Sequence, residues 1–349
     1  RNVMRRPELA LGLIGVDTIA VEMGADLARI LVPPLSDALL DRIGEVRRAL
    51  AADIGIVMPG VRLRDELSRD AGTYAISVRG RIVASGRLEL DGFLAVADEA
   101  ILQRCGGTVE REPVYGLPAA WIAPELRERA TAAGALVFDP ISVLGSHLAE
   151  IARTYAAELV GRQELQTLLE HLRASVPALV KEIGSDALPF GSVHRAFGLL
   201  LREGAWPRDT VRVLEAMLEA ATRDPRELAE AARRVIVPNL LRARDLAGLE
   251  PAIFDPAFER RLTASWNGDA ADAATAASVM TLRDRIARYA ARMPRERAAV
   301  LCGTALRPLL AEFLLGAGLR VPAYAYAELP GELELHPAEI ISDVALTPA

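Results

Sequence analysis

Residues 74–88, YAISVRGRIVASGRL, decide the fold class. Tyr74, Ile76 and Val78 alternate with smaller or polar neighbours, Gly80 follows Arg79, and the alternation resumes from Ile82 to Leu88. A period of two predicts strands, and a glycine between two such runs predicts the turn of an antiparallel hairpin. Upstream, Thr18 to Glu22 reads as another strand. After the turn at Pro33 and Pro34, apolar Leu39, Leu40, Ile43, Val46 and Leu50 recur at helical spacing, with Ser36 as the expected N-cap. Strand, helix, strand, hairpin is an α+β arrangement in which an amphipathic helix covers a sheet.

Around residue 91 the pattern breaks into short apolar pieces punctuated by Gly106, Gly107, Gly116 and Pro118, as expected of a small inserted unit. From Asp139 to Arg244 helix-period segments follow one another: Ala149 to Val160, Glu164 to Leu172, Val193 to Leu201, Thr210 to Ala221 and Arg226 to Ile236. Asp139-Pro140, Asp224-Pro225 and Asp255-Pro256 fit helix starts, because Asp accepts an orphan amide hydrogen bond and Pro in the first turn needs none. After Leu246, apolar Ala298 to Leu301 and Val321 to Tyr326 flank a helical Leu306 to Leu315, and Ala270 to Ala277 is an Ala-rich helical or mobile segment. The expected fold class is therefore multidomain α+β. Its subdomains are a linker over 1–17, a first α/β subdomain over 18–90 and 140–159, and an inserted second over 91–139. A helical third follows over 160–244 and an α/β fourth over 245–349.

The composition narrows the function. With 349 residues the chain exceeds what one hydrophobic core usually supports, and 51% apolar with 25% charged residues is the balance of a folded chain. Forty-one basic against 47 acidic residues leave a net charge of −6, where a nucleic-acid binder carries a basic excess. Lys181 is the sole lysine and follows Val180 in a helical pattern, so neither a P-loop nor a kinase strand lysine is present. Cys105 and Cys302 are far apart, and no two of His147, His171, His194 and His336 make a zinc helix, so no metal site or cofactor is expected. The glycines Gly12, Gly15 and Gly24 lack the dinucleotide spacing. The longest apolar runs, Leu9 to Val16 and Ile30 to Leu35, are far shorter than a bilayer span. With no initiating Met and no signal segment, the chain reads as a soluble fragment of something longer.

Asp139, Ser142, Ser146 and His147 lie within nine residues, which admits a serine-hydrolase reading, although triad members normally come from separate elements and no nucleophile elbow surrounds either serine. What stands out is Glu112-Pro113-Val114-Tyr115-Gly116-Leu117-Pro118-Ala119-Ala120-Trp121-Ile122. Two prolines and a glycine fix the backbone while an acid, a tyrosine and a tryptophan are displayed close together, as in a protein-docking surface. The competing reading is a turn whose Tyr115 and Trp121 are simply core.

At this motif the sequence resembles the cytoplasmic region of the bacterial type III export gate family, the FlhA/SctV (FHIPEP) proteins of flagella and injectisomes. The resemblance rests on Val21-Glu22-Met23-Gly24, Leu40-Asp41-Arg42-Ile43 with Arg47, Val61 to Asp65, and Glu112 to Ala119. It continues through Asp139 to Leu148, Glu158 to Glu164 and Leu199 to Gly204, and it extends from about Ile19 to Arg234. It implies four subdomains and a non-enzymatic homo-oligomeric ring, a nonamer, beneath the membrane pore on the cytoplasmic face of the inner membrane. Such a ring receives export chaperones with bound substrates, orders their export, and meets the ATPase stalk and the switch protein. The membrane is met only through an N-terminal region absent here. Carried over residue by residue, Glu112, Pro113, Tyr115, Gly116 and Ser146 are the expected chaperone-binding residues. Glu112 stands where aspartate is usual, Tyr115 where phenylalanine is common, and Ser146 where threonine is common. Gly116-Leu117-Pro118-Ala119 with Trp121-Ile122 resembles the flagellar branch more than the injectisome branch, which is the alternative. Val235-Ile236-Val237-Pro238-Asn239 does not resemble the family's helix continuation.

Overall fold

Ile19–Met23 (β1) is buried along its whole length, which places it inside a sheet. It pairs in parallel with Val61–Asp65 (β2) and antiparallel with Thr73–Val78 (β3), and β3 pairs with Arg81–Arg87 (β4), giving the order β2-β1-β3-β4. The computed structural model describes residues 15–106, 108–243, 249–266, 273–294, 296–333 and 335–342. Most of the expected 1–17 linker, Gly107 and the start of the Ala-rich segment lie outside the described residues. Arg79 and Gly80, at φ 47° and 77°, make the two-residue left-handed turn that suits the twist of a hairpin. The one carboxylate in β1, Glu22, is held below the usual carboxylate range by hydrogen bonds from Arg64 and Arg69.

Leu35–Ile54 forms α1, which buries Leu39, Ile43, Val46 and Leu50. Two expectations fail here. Leu40 is exposed, since a 3.6-residue period turns it off the face that Leu39 and Ile43 share. Ser36 is not the N-cap: Pro34 holds that position with no side-chain cap, and the Ser36 amide bonds the Val32 carbonyl instead.

The next sheet takes Phe93–Val96 (β5), Glu110–Arg111 (β6), Pro118–Ile122 (β7) and Leu136–Phe138 (β8) in the antiparallel order β6-β7-β5-β8. Helices Glu99–Arg104 (α2) and Arg127–Ala132 (α3) close one face over a core of Ala95, Leu102, Cys105, Ala120, Ile122 and Ala130. Cross-strand pairing puts Trp121, Leu94 and Phe138 on the opposite face. From β8 the chain enters Pro140–Thr154 (α4), whose buried face carries Ile141, Leu144, Leu148 and Ile151 and packs on α1. Ala156–Leu159 (α5) and Arg162–Leu172 (α6) follow.

The chain divides into two compact units, Arg1–Leu168 and Leu169–Ala349. The second begins with Pro177–Glu182 (α7), Phe190–Arg202 (α8), Thr210–Glu219 (α9) and Pro225–Ala243 (α10). The short α7 was signalled only by its leading proline and the helical pattern at Val180 and Lys181. Helix α10 runs through Pro238 instead of stopping near Ile236, because Val237 and Leu241 keep the helical period and are buried with Ala299, Leu301 and Tyr324. The end of the unit is a parallel sheet in the order β11-β10-β9-β12, from Ala252–Phe254 (β9), Val300–Cys302 (β10), Ala323–Ala325 (β11) and Glu339–Ile341 (β12). Pro256–Trp266 (α11), Ala273–Arg292 (α12) and Arg307–Gly316 (α13) connect these strands, so Ala273 to Ala277 is helical backbone. All three Asp-Pro pairs start helices: the carboxylates of Asp139, Asp224 and Asp255 accept from the amides of Ser142, Arg226 and Phe258 at 2.9, 2.7 and 2.9 Å.

Candidate docking site on the β6–β7 loop

The loop between β6 and β7 is built around one buried carboxylate. Glu112 is 7% exposed, and its side chain accepts from the backbone amides of Val114 at 2.7 Å, Tyr115 at 2.6 Å and Leu117 at 3.2 Å. Its own backbone closes the ring: the Glu112 amide donates to the Leu117 carbonyl at 2.9 Å and the Gly116 amide donates to the Glu112 carbonyl at 3.2 Å. Arg111 clamps the outside by donating to the Gly116 carbonyl at 3.1 Å. Gly116 takes φ 70°, a left-handed conformation that glycine adopts without strain. Charge-assisted hydrogen bonds of this kind are the stronger ones, and three of them on one side chain fix the loop's backbone.

Tyr115 stands at the apex with 69% of its surface exposed, and Leu117 beside it is 49% exposed. The reading of Tyr115 as core is therefore wrong. Trp121 is half-buried, three residues along β7 from Pro118, about 10 Å at strand rise. It lines a different feature, a cleft of about 890 Å³ between the first sheet and the β5–β7 strands, with Arg29, Arg87, Glu89 and Asp91. The Arg29 guanidinium spans to Asp91 with both contacts at 3.3 Å. Burial pushes the Glu110 carboxyl in this region up, opposed by Arg87.

The structure distributes the expected site residues unequally. Tyr115 and Gly116 are exposed, Pro113 is half-buried, and Ser146 is half-buried on α4. Glu112 turns inward, and its carboxylate serves the loop's own amides. No local signal marked this inward turn, because an acid in a turn reads as solvated. Residues the sequence did not connect are Tyr74 on β3 and His147 on α4. The Tyr74 hydroxyl lies 2.7 Å from His147 Nδ1, with the rings edge-on at 5.7 Å. The charge of Glu112 reaches both side chains.

The hydrolase reading fails on the same geometry. Asp139 Oδ2 accepts from Ser142 Oγ at 2.6 Å as part of the α4 cap, and His147 Nδ1 faces Tyr74. Eight residues of helix separate Asp139 from His147, about 12 Å of rise.

A family model for the FHIPEP family matches residues 2–334 of this sequence. The chain belongs to the FHIPEP family. Among sequence relatives, it is 34% identical over 244 residues to the flagellar biosynthesis protein FlhA of Bacillus subtilis, which covers 68% of this chain and 35% of the relative. The chain spans about a third of the length of the curated relatives it matches. Among solved structures, the Chlamydia pneumoniae CdsV in its complex with CdsO superposes with a TM-score of 0.77 at 22% identity, over 93% of this chain and 97% of that one. The nonameric EPEC SctV-C gives a TM-score of 0.69 at 15% identity, over 94% and 99%. These likenesses establish the fold of this FHIPEP chain as that of the type III secretion SctV C-terminal domain.

Proposed function

We propose that this chain is the docking platform of a type III protein export gate, and that loop 112–117 is where an export chaperone with its bound substrate lands. One observation carries this reading: a buried carboxylate is committed to holding a loop whose product is an exposed tyrosine. Burying a charge is costly unless it is fully hydrogen-bonded, and no core packing is gained by presenting Tyr115 to solvent. A chaperone helix laying an apolar face on Tyr115 and Leu117, flanked in the loop by Pro113 and Gly116, fits such a surface, and Ser146 of α4 is proposed as a further contact. The flagellar branch is favoured over the injectisome branch, because the sequence relatives that reach 34% identity carry the name FlhA.

The platform acts as part of a homo-oligomeric ring, in keeping with the nonameric SctV-C, on the cytoplasmic face of the inner membrane. Partner binding is supported by the complex that CdsV forms with CdsO, and contacts with the ATPase stalk and the switch protein belong to the same proposal. The work is binding and ordering of cargo without covalent chemistry. Calorimetric titration with an export chaperone, alone and cargo-loaded, tests it. An aromatic anchor at the centre of an interface is worth ~2 kcal/mol or more, about 30-fold in affinity. Tyr115→Ala is expected to lose at least that while the melting temperature holds, since the side chain is mostly exposed. Equal affinity in wild type and variant refutes the docking site.

A further inference from the structure

Three charged residues in a row, Glu110, Arg111 and Glu112, lead into the docking loop, and the fold sends them to different places. Glu112 is buried and its carboxylate is spent on the amides of Val114, Tyr115 and Leu117. Alternation along β6 puts Glu110 and Arg111 on opposite faces of the strand. Glu110 is half-buried, with Arg87 and Glu89 as its charged neighbours, and Arg111 is exposed. Residues 113–117 are Pro, Val, Tyr, Gly and Leu, so the charge turned outward here is the Arg111 guanidinium. Its place is fixed by the bond it donates to the Gly116 carbonyl at 3.1 Å, and Gly116 lies between the exposed Tyr115 and Leu117. That bond uses one of five donors, and Arg111 is in ion-pair contact with no carboxylate among the described residues.

We propose that Arg111 is a specificity-determining contact of the docking loop: it selects a partner helix that carries an Asp or Glu beside the apolar residues laid on Tyr115 and Leu117. A guanidinium matches a carboxylate with two parallel hydrogen bonds. Docking removes water from both groups, so their attraction strengthens as the apolar contact closes. The bond to Gly116 holds the guanidinium beforehand, which lowers the ordering cost that leaves most exposed ion pairs weak. The selection is local. The net charge of −6 repels an acidic partner as a whole, but beyond ~8–10 Å that field is screened at physiological salt. A competing helix with Lys or Arg at the matching position meets Arg111 with like charge and is rejected. This inference deepens the docking reading and rests on it for the kind of partner; the outward charge beside Tyr115 belongs to the loop itself.

Calorimetric titration with a cargo-loaded export chaperone at about 50 mM and about 500 mM NaCl tests it, with Arg111→Gln, Arg111→Glu and Tyr115→Ala beside wild type. Glutamine removes the charge and keeps an N–H for the Gly116 carbonyl. Arg111→Gln is expected to bind ~3–10-fold more weakly than wild type at low salt, with the gap closing at high salt. Arg111→Glu loses more and recovers more with salt. Neutralising the acids of the chaperone's docking helix one at a time is expected to find one whose loss weakens wild type by the same factor and leaves Arg111→Gln unchanged. The amides of Val114, Tyr115 and Leu117 exchange in Arg111→Gln as in wild type, because Glu112 holds them. Equal affinity of wild type and Arg111→Gln at low salt overturns the proposal. So does a loss that is the same at both salts with those amides unprotected, since Arg111 then only clamps the loop, and so does the lack of any chaperone carboxylate that couples to Arg111. If Tyr115→Ala weakens binding and Arg111→Gln does not, the docking site stands and the specificity role falls. If Arg111→Gln alone weakens it, Arg111 is a contact and the Tyr115 anchor falls. A wild-type chain that binds no chaperone at either salt overturns both.

Discussion

Replacing Arg233 with methionine removes the centre of a buried charge network in the second unit. Arg233 is 2% exposed and donates to Glu328 at 2.7 and 3.2 Å, to Glu203 at 2.8 Å and to the Ala323 carbonyl at 3.1 Å. Arg307, equally buried, binds Glu203 and Glu230, so two guanidiniums serve three carboxylates. In Arg233→Met, Glu203 keeps Arg307, but Glu328 is left 3% exposed with only the Ala325 amide at 2.7 Å. Breaking a buried pair on one side costs ~3–5 kcal/mol. For a unit of this length each kcal/mol moves the melting temperature by ~2–4 °C, so a drop of roughly 6–20 °C is expected. Segment-resolved hydrogen exchange locates the loss: α10, β11 and the turn at Glu328 lose protection while β1 to β4 do not. Removing both partners, in Arg233→Met with Glu328→Leu, recovers part of the loss, because no charge is then stranded. A shift under ~3 °C, or a double variant equal to the sum of the singles within ~0.5 kcal/mol, refutes the account of the network as one coupled unit.

Glu112→Ala frees three loop amides to exchange and destabilises the first unit by ~1–3 kcal/mol, while Glu112→Asp keeps part of the protection; amides at Val114, Tyr115 and Leu117 that exchange as in wild type contradict this. Gly86→Ala forces a methyl group onto the buried Tyr74 hydroxyl and costs ~1–3 kcal/mol, with the His147 ring resonances displaced; a chemically denatured midpoint equal to wild type rules out that contact. Arg29→Ala removes an ion pair whose side chains are 63% and 83% exposed, so melting is expected to change by under ~2 °C, and a larger fall means the contact holds the cleft together. Between pH 8 and pH 5 the first unit loses stability, because the depressed His147 takes up its proton later than the unfolded chain does; the loss begins near pH 6.5 and ends below the folded transition, and His147→Gln removes it.

Local periodicity carried most of the fold. Helix α1 and the β3–β4 hairpin were legible because one face of each is apolar at the right period, and the helix starts at Asp139, Asp224 and Asp255 because Asp-Pro has one good reading. What escaped were features decided by contacts distant in sequence. Tyr74 and His147 are 73 residues apart, and Arg233 and Glu328 are 95 apart, so no window shows that either pair meets. Pro238 reads locally as a helix end, but the burial of Val237 and Leu241 outweighs the one lost backbone bond. The 112–122 motif stood out through its composition. The inward turn of Glu112 did not, since an acid in a turn reads as solvated until its hydrogen bonds are known.

The division of labour in the loop has a thermodynamic reason. A free six-residue turn would have to be ordered when a partner binds, at ~1–2 kcal/mol of backbone entropy per residue, and a single exposed tyrosine worth a few kcal/mol could not offset that. Glu112 meets the ordering cost at folding, where the hydrogen bonds to Val114, Tyr115 and Leu117 compensate it. The partner then meets a preorganised aromatic surface. On this account a contact residue and a positioning residue fail differently. Tyr115→Ala lowers affinity by removing interface area, so the heat-capacity change of binding shrinks. Glu112→Ala keeps the area and restores the entropy cost, so the heat-capacity change holds or grows as the loop orders on the partner, and affinity falls through an unfavourable entropy.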